Sequence, residues 1–205
     1  MVKKEKYEKL KKEFGEYSSW AIWDDSKPEK PKSGVEGLSA FEEKNLSKTL
    51  KLLNTDYILF GLNAAKHEHF ACEDWSSFHS SDIKKQQDYK IRYALKNTKL
   101  WGSYITDVFK GFPETDSKKL KEAVKKDHQM LVKAKQDLKK ELQIIGGDPI
   151  LIAFGNDSYK YLKTICSDLE VKNIIKIRHY SAWGGQEKYR SAIWEQLNKE
   201  LESYI

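Results

Sequence analysis

The run Tyr57-Ile58-Leu59-Phe60-Gly61-Leu62-Asn63-Ala64-Ala65 constrains the fold more than any other stretch of this chain. An apolar run without alternation suits a strand covered on both faces. Gly61 interrupts the run, and Asn63 follows it into a turn of small residues where a ligand can come close to the backbone. A second run, Ile174-Ile175-Lys176-Ile177-Arg178-His179-Tyr180-Ser181, repeats this pattern with a histidine at its end. Open α/β sheets bind ligands outside the carboxyl ends of their strands. An amide and an imidazole at two such ends therefore mark a candidate site.

The rest of the chain supplies the helices that such a sheet needs. Spacing predicts a charged helix over Lys3 to Phe14, an aromatic anchor at Trp20, Ile22 and Trp23, and a loop over Lys27 to Gly34. A helix is expected from Ser39 to Leu53 and the first strand from Tyr57 to Leu62. Asn63 to Ser81 is an aromatic-rich irregular stretch, and loops of that length in compact domains carry function or are disordered. A helix over Asp82 to Lys96, a strand over Gly102 to Phe109 and one long helix from Asp116-Ser117 to Leu142 follow. After a Gly146-Gly147-Asp148-Pro149 turn come a strand at Ile150 to Phe154 and a helix at Gly155 to Ile165. A strand at Asn173 to His179 and a closing helix from Gln186 to Tyr204 end the chain. Alternating strands and helices imply parallel pairing. The expectation is an α/β fold, a three-layer α/β/α sandwich around a central, mainly parallel sheet of about four strands. It forms a single domain over residues 1–205, with residues 1–35 as an N-terminal extension.

Composition narrows the function classes. A chain of 205 residues with six Trp and eight Phe can build a sizeable core. No run reaches the ~18 apolar residues of a membrane span, and no apolar segment follows the basic start as in a secretory signal. Two cysteines, Cys72 and Cys166, are too few for a disulfide framework. The expected home is a reducing cytoplasm. The net charge of +6 fits a polyanionic partner, although most lysines alternate with glutamates as on solvated helix faces.

The order of these motifs resembles the uracil-DNA glycosylase superfamily, from Tyr57 to Ser181. Gly61-Leu62-Asn63-Ala64-Ala65 resembles the motif that positions the attacking water, and His179-Tyr180-Ser181 resembles the motif that polarises the base. Thr106-Asp107, followed by Lys110, stands where the family reads the base edge. The segment from Trp101 to Lys110 also resembles uncharacterised bacterial members. The resemblance implies a monomeric enzyme of DNA repair that hydrolyses the N-glycosidic bond of a flipped uracil or modified pyrimidine, with no cofactor and no metal. Asn63 and His179 are then catalytic. Asp107, Gly61 and Leu62 bind the base, with Phe78 or Phe70 stacked on it, and Phe78 is preferred. Ser181, Gly184 and Lys110 contact the DNA backbone. DNA is the expected partner, and no membrane is expected. The alternative is a catalytically inactive nucleic-acid- or nucleotide-binding module of the same fold.

Three departures from the family pattern bear on this reading. Ala64 and Tyr180 stand where the motifs carry proline, and Asp107 stands where they carry asparagine. An ionised aspartate only accepts hydrogen bonds, which suits an exocyclic amino group better than a uracil carbonyl. Read without the resemblance, Asn63 closes a strand-to-helix turn, Asp107 caps a turn, and the phenylalanines belong to the core. His67, His69, Cys72 and His79 carry zinc-type donors, but their spacing matches no strong template. They are read as polar loop residues.

Overall fold

A computed structural model describes residues 1–24, 37–64, 74–80, 87–169, 171 and 173–201. In chain order its elements begin with α1 (Lys4–Phe14), β1 (Ser18–Trp20), a 3-10 turn (Ser39–Phe41), α2 (Glu43–Leu52) and β2 (Asn54–Asn63). Then come α3 (Asp88–Leu95), β3 (Ser103–Phe109), α4 (Ser117–Lys126), α5 (Gln129–Ile145) and β4 (Ile150–Phe154). The chain closes with α6 (Gly155–Ile165), β5 (Ile174–Ile177) and α7 (Gln186–Glu200).

The five strands form one sheet in the order β1-β3-β2-β4-β5. All neighbours are parallel except β1, which runs antiparallel to β3. Side chains alternate across each strand, and both faces are covered, so the fold is a three-layer α/β/α sandwich. Ile58 and Phe60 of β2 and Tyr104 and Val108 of β3 pack under α1, α2, α4, α5 and α6. Leu59, Ile105, Ile152 and Ile177 face α3 and α7. Among the described residues no helix is long and apolar enough to cross a membrane.

Two elements differ from expectation. β1 is a fifth strand, and its Ser-Ser-Trp sequence has no apolar run to announce it. Its pairing to β3 makes residues 18–20 part of the sheet rather than of an extension. The long helix expected from Asp116 breaks at Asp127, whose side chain accepts the Gln129 N–H at 2.9 Å and so caps a new helix. The helix expected over Asp82 to Lys96 is present as α3 from Asp88, and its expected start lies outside the described residues.

Lys110 also corrects an expectation. The resemblance places it on the DNA backbone, but its side chain turns inward. Its ammonium lies 2.8 Å from Glu141 Oε2 and 2.8 Å from the Asp107 carbonyl. Glu141 is fully buried and accepts as well from Tyr104 at 2.9 Å and Thr106 at 3.0 Å. A buried carboxylate needs that many donors to offset its lost hydration. The network therefore secures β3 to α5, and Lys110 has no free charge to offer a phosphate.

Candidate active site

Topology sets the place. The connection after β2 leads through α3 on one face of the sheet, and the one after β4 leads through α6 on the other. The carboxyl ends of β2 and β4 therefore part at a switch point, where α/β sheets open a crevice. A cleft of about 530 Å³ lies there, lined by residues that include Asn63, Phe78, Asp107, Gly155 and His179.

Asn63 ends β2. Its amide nitrogen lies 3.0, 3.0 and 2.8 Å from the carbonyls of Ala64, Phe112 and Glu114. Three acceptors identify the donor end of the amide. Oδ1 is left to accept a hydrogen from a ligand or a water molecule. The buried Ser158 of α6 donates to the Phe60 and Gly61 carbonyls at 2.9 and 3.1 Å, which ties down this strand end.

His179 follows β5 and is half-buried. Its Nδ1 accepts the Ser181 backbone N–H at 3.1 Å and lies 2.7 Å from the Ser181 hydroxyl. With Nδ1 accepting, the ring proton belongs on Nε2. Burial pushes the imidazole down to about 4, with Asp157 opposing weakly, so at neutral pH it is an uncharged Nε2–H donor. The ring stacks on Tyr180 with centroids 4.3 Å apart. Gly155 makes room for it: a Cβ there would stand 3.1 Å from His179 Cβ, and its φ of +85° favours glycine.

Asp107 sits opposite Gly61 in the β2–β3 register. A Cβ on Gly61 would fall 2.2 Å from Asp107 Oδ1 and 3.1 Å from Phe78 Cζ, so the glycine opens space for both side chains. Asp107 is only 5 % exposed. No described group donates to its carboxyl; the Lys110 ammonium goes to its backbone carbonyl instead. Burial pushes this acid up to about 7, opposed by Lys110 and assisted by Asp88 and Glu141. Phe78 is held in a left-handed conformation at φ +64°, and its carbonyl accepts from Trp23 Nε1 at 3.0 Å. Strain of that kind on a non-glycine residue concentrates at functional loops.

Of the other expected residues, Leu62 and Ser181 line the cleft, and Gly184 is not among its lining residues. The Ser181 hydroxyl is engaged with His179, which makes it a positioning group for the ring. Phe70, His67, His69 and Cys72 lie outside the described residues. His79 points into the core, with Nε2 2.9 Å from Ser19 Oγ and its ring beside Trp23 and Phe41. Among the described residues no group of three or more His, Cys, Asp or Glu is placed to hold a metal.

Asp88 also belongs to the site, although no motif marks it. This first residue of α3 lines the same cleft, is 2 % exposed and accepts the Ser80 N–H at 2.9 Å. Burial pushes its carboxyl up to about 7 as well, against the Ser80 hydrogen bond. The signal for it is an acid in the first turn of α3. Nor does a motif mark Trp183, which is 84 % exposed on the loop that leaves His179, with the Lys188 ammonium 4.9 Å from its ring. The chain matches no protein-family model, no curated protein and no solved structure.

Proposed function

We propose that this chain is a DNA glycosylase-like enzyme that hydrolyses the N-glycosidic bond of a flipped uracil or modified pyrimidine base in DNA. One observation carries the reading. Asn63, Asp107 and His179, from three separate strand ends, line one cleft together with the aromatic Phe78. A base taken out of its stack needs an apolar wall, polar partners for its edge and a donor for the charge it leaves with. Phe78 supplies the wall and Asp107 meets the edge. The Nε2–H of His179 donates to a base carbonyl oxygen as negative charge develops there, an effect worth roughly 3–4 kcal/mol in well-formed sites. Asn63 Oδ1 orients the water that adds to the sugar. The exposed Trp183 at the cleft loop fits a wedge that fills the gap left in the stack. The reading calls on no metal or cofactor.

The test is strand cleavage after alkali treatment, which breaks the chain at abasic sites, over oligonucleotides that each carry one uracil or modified pyrimidine, with His179→Ala as control. Excision that vanishes in the variant supports the reading, and no excision across the panel refutes it.

A second reading is a silent nucleic-acid- or nucleotide-binding module. It is favoured by Ala64 and Tyr180, which leave both motif turns without the stiffness of proline. It predicts tight binding without cleavage, unchanged by His179→Ala.

A further inference from the structure

On the base-flipping reading above, we propose that Asp107 is a catalytic acid toward the ring nitrogen of an amino-bearing pyrimidine of the cytosine type. The same group then selects that base over uracil. The geometry of the carboxyl is the ground for this. It is buried, faces the cleft and receives no hydrogen bond from any described group. The cation beside it, Lys110, is committed to Glu141 and to the Asp107 backbone. Asp88 brings a second carboxyl to the same cleft with one oxygen on the Ser80 N–H. The charged and titratable groups around Asp107 are thus Asp88 from α3, Lys110 beyond β3, Glu141 from α5 and Tyr180 from the loop after β5, with Glu114, Asp157 of α6 and His179 on the same cleft. Burial and like charge outweigh the lysine, so the acid keeps a proton near neutral pH.

A protonated carboxyl presents one O–H and one carbonyl oxygen. Cytosine offers a basic N3 beside an N4 amino group, so the acid donates to the first and accepts from the second. Uracil can also form two hydrogen bonds with the acid. Its N3 already carries hydrogen, however, and it has no basic ring nitrogen to take a proton. The difference lies in the bond-breaking step. As the C1′–N1 bond of a cytosine nucleotide breaks, its electron pair leaves with the base. The Asp107 proton passes to N3, and the base departs neutral. Water oriented by Asn63 adds to C1′ and returns a proton to the Asp107 carboxylate. The sum is hydrolysis, with no other reactant.

The experiment uses single-stranded oligonucleotides that each contain one cytosine, 5-methylcytosine, 5-hydroxymethylcytosine or uracil, assayed between about pH 5.5 and 9. Calorimetry with free cytosine and free uracil runs beside it, and thermal unfolding checks that each variant is folded. The expected result is faster excision of a cytosine-type base than of uracil, with a fall of about tenfold per pH unit above about 7. Asp107→Asn lowers cytosine-type excision by ~10²-fold or more and uracil excision by a much smaller factor. Asp88→Asn, by removing like charge, moves the alkaline fall to lower pH. Faster excision of uracil, a flat pH profile above 6, or an Asp88→Asn profile that does not move overturns the acid role. Excision of neither base also overturns it. If calorimetry then finds no binding of either free base, the base-binding reading falls with it; cytosine-type excision indifferent to Asp107→Asn removes this inference alone.

Discussion

His179 and Asp107 are tuned in opposite directions by the same loss of water. The imidazole is pushed down to about 4, so it stays uncharged across the physiological range. The folded chain resists that proton while the unfolded chain binds it, so this group lowers stability as pH falls from about 6.5 to 4. The Asp107 carboxyl is pushed up to about 7. Its contribution is intact below the usual carboxylate range and is lost as pH rises through 7. Asp107→Asn is therefore expected to unfold at higher denaturant than wild type at pH 8, by on the order of 3 kcal/mol, with the gap closing near pH 4. Urea titrations at both pH values measure this; a gap independent of pH contradicts it. His179→Ala is expected to lose ~10²–10³-fold in excision with oligonucleotide binding retained, read by cleavage and by filter binding. Asn63 closes β2 and His179 follows β5 by two residues, so the apolar runs of those strands marked both positions; Asp107 lies within β3, two residues before its end, and was marked by its place in the motif order. Asp88 was not, because its place in the cleft rests on a hydrogen bond from the Ser80 N–H that no local pattern announces. Lys110 was misread because a positive charge in a sequence does not reveal which way the chain turns it.

Elements place these residues, and two substitutions test how. Gly155 opens α6 where His179 must pass, at φ +85° and with an added Cβ 3.1 Å from His179 Cβ, a contact tight enough to push the histidine. Gly155→Ala should cost about 1–3 kcal/mol of stability and lower excision beyond what that loss explains, because it shifts the imidazole. Chemical denaturation and cleavage measured side by side separate the two effects. Lys110→Met leaves Glu141 buried with only the hydroxyls of Tyr104 and Thr106. Removing one partner of a buried pair costs roughly 3–5 kcal/mol, and a loss under 1 kcal/mol would show that the pair is not needed. The long parallel strands were readable from their continuous apolar runs. β1 was not, since three residues with two serines carry no period, and its pairing is decided by β3 across the sheet.

At the scale of the whole molecule, charge is divided. The chain carries a net +6, yet the carboxylates lining the cleft are Asp88, Asp107, Glu114 and Asp157, and its described lining holds no lysine or arginine. Phosphates are thus expected outside the cleft, on the surface that bears Arg178, Lys188 and Arg190. Affinity for a DNA oligonucleotide should then fall by ~10-fold or more between 50 and 200 mM salt, measured by fluorescence anisotropy; affinity insensitive to salt contradicts a phosphate-based interface. The N-terminal segment shapes the cleft from a distance. Gly15 accepts the Trp75 N–H at 2.8 Å, Ser19 donates to the Trp75 carbonyl at 2.7 Å, and Trp75 packs on Tyr7 and Trp20. The first two dozen residues are thus not a leader that can be trimmed to simplify expression. A shortened chain would loosen the segment that presents Phe78 and bare the flank of β3 to annealing with other molecules.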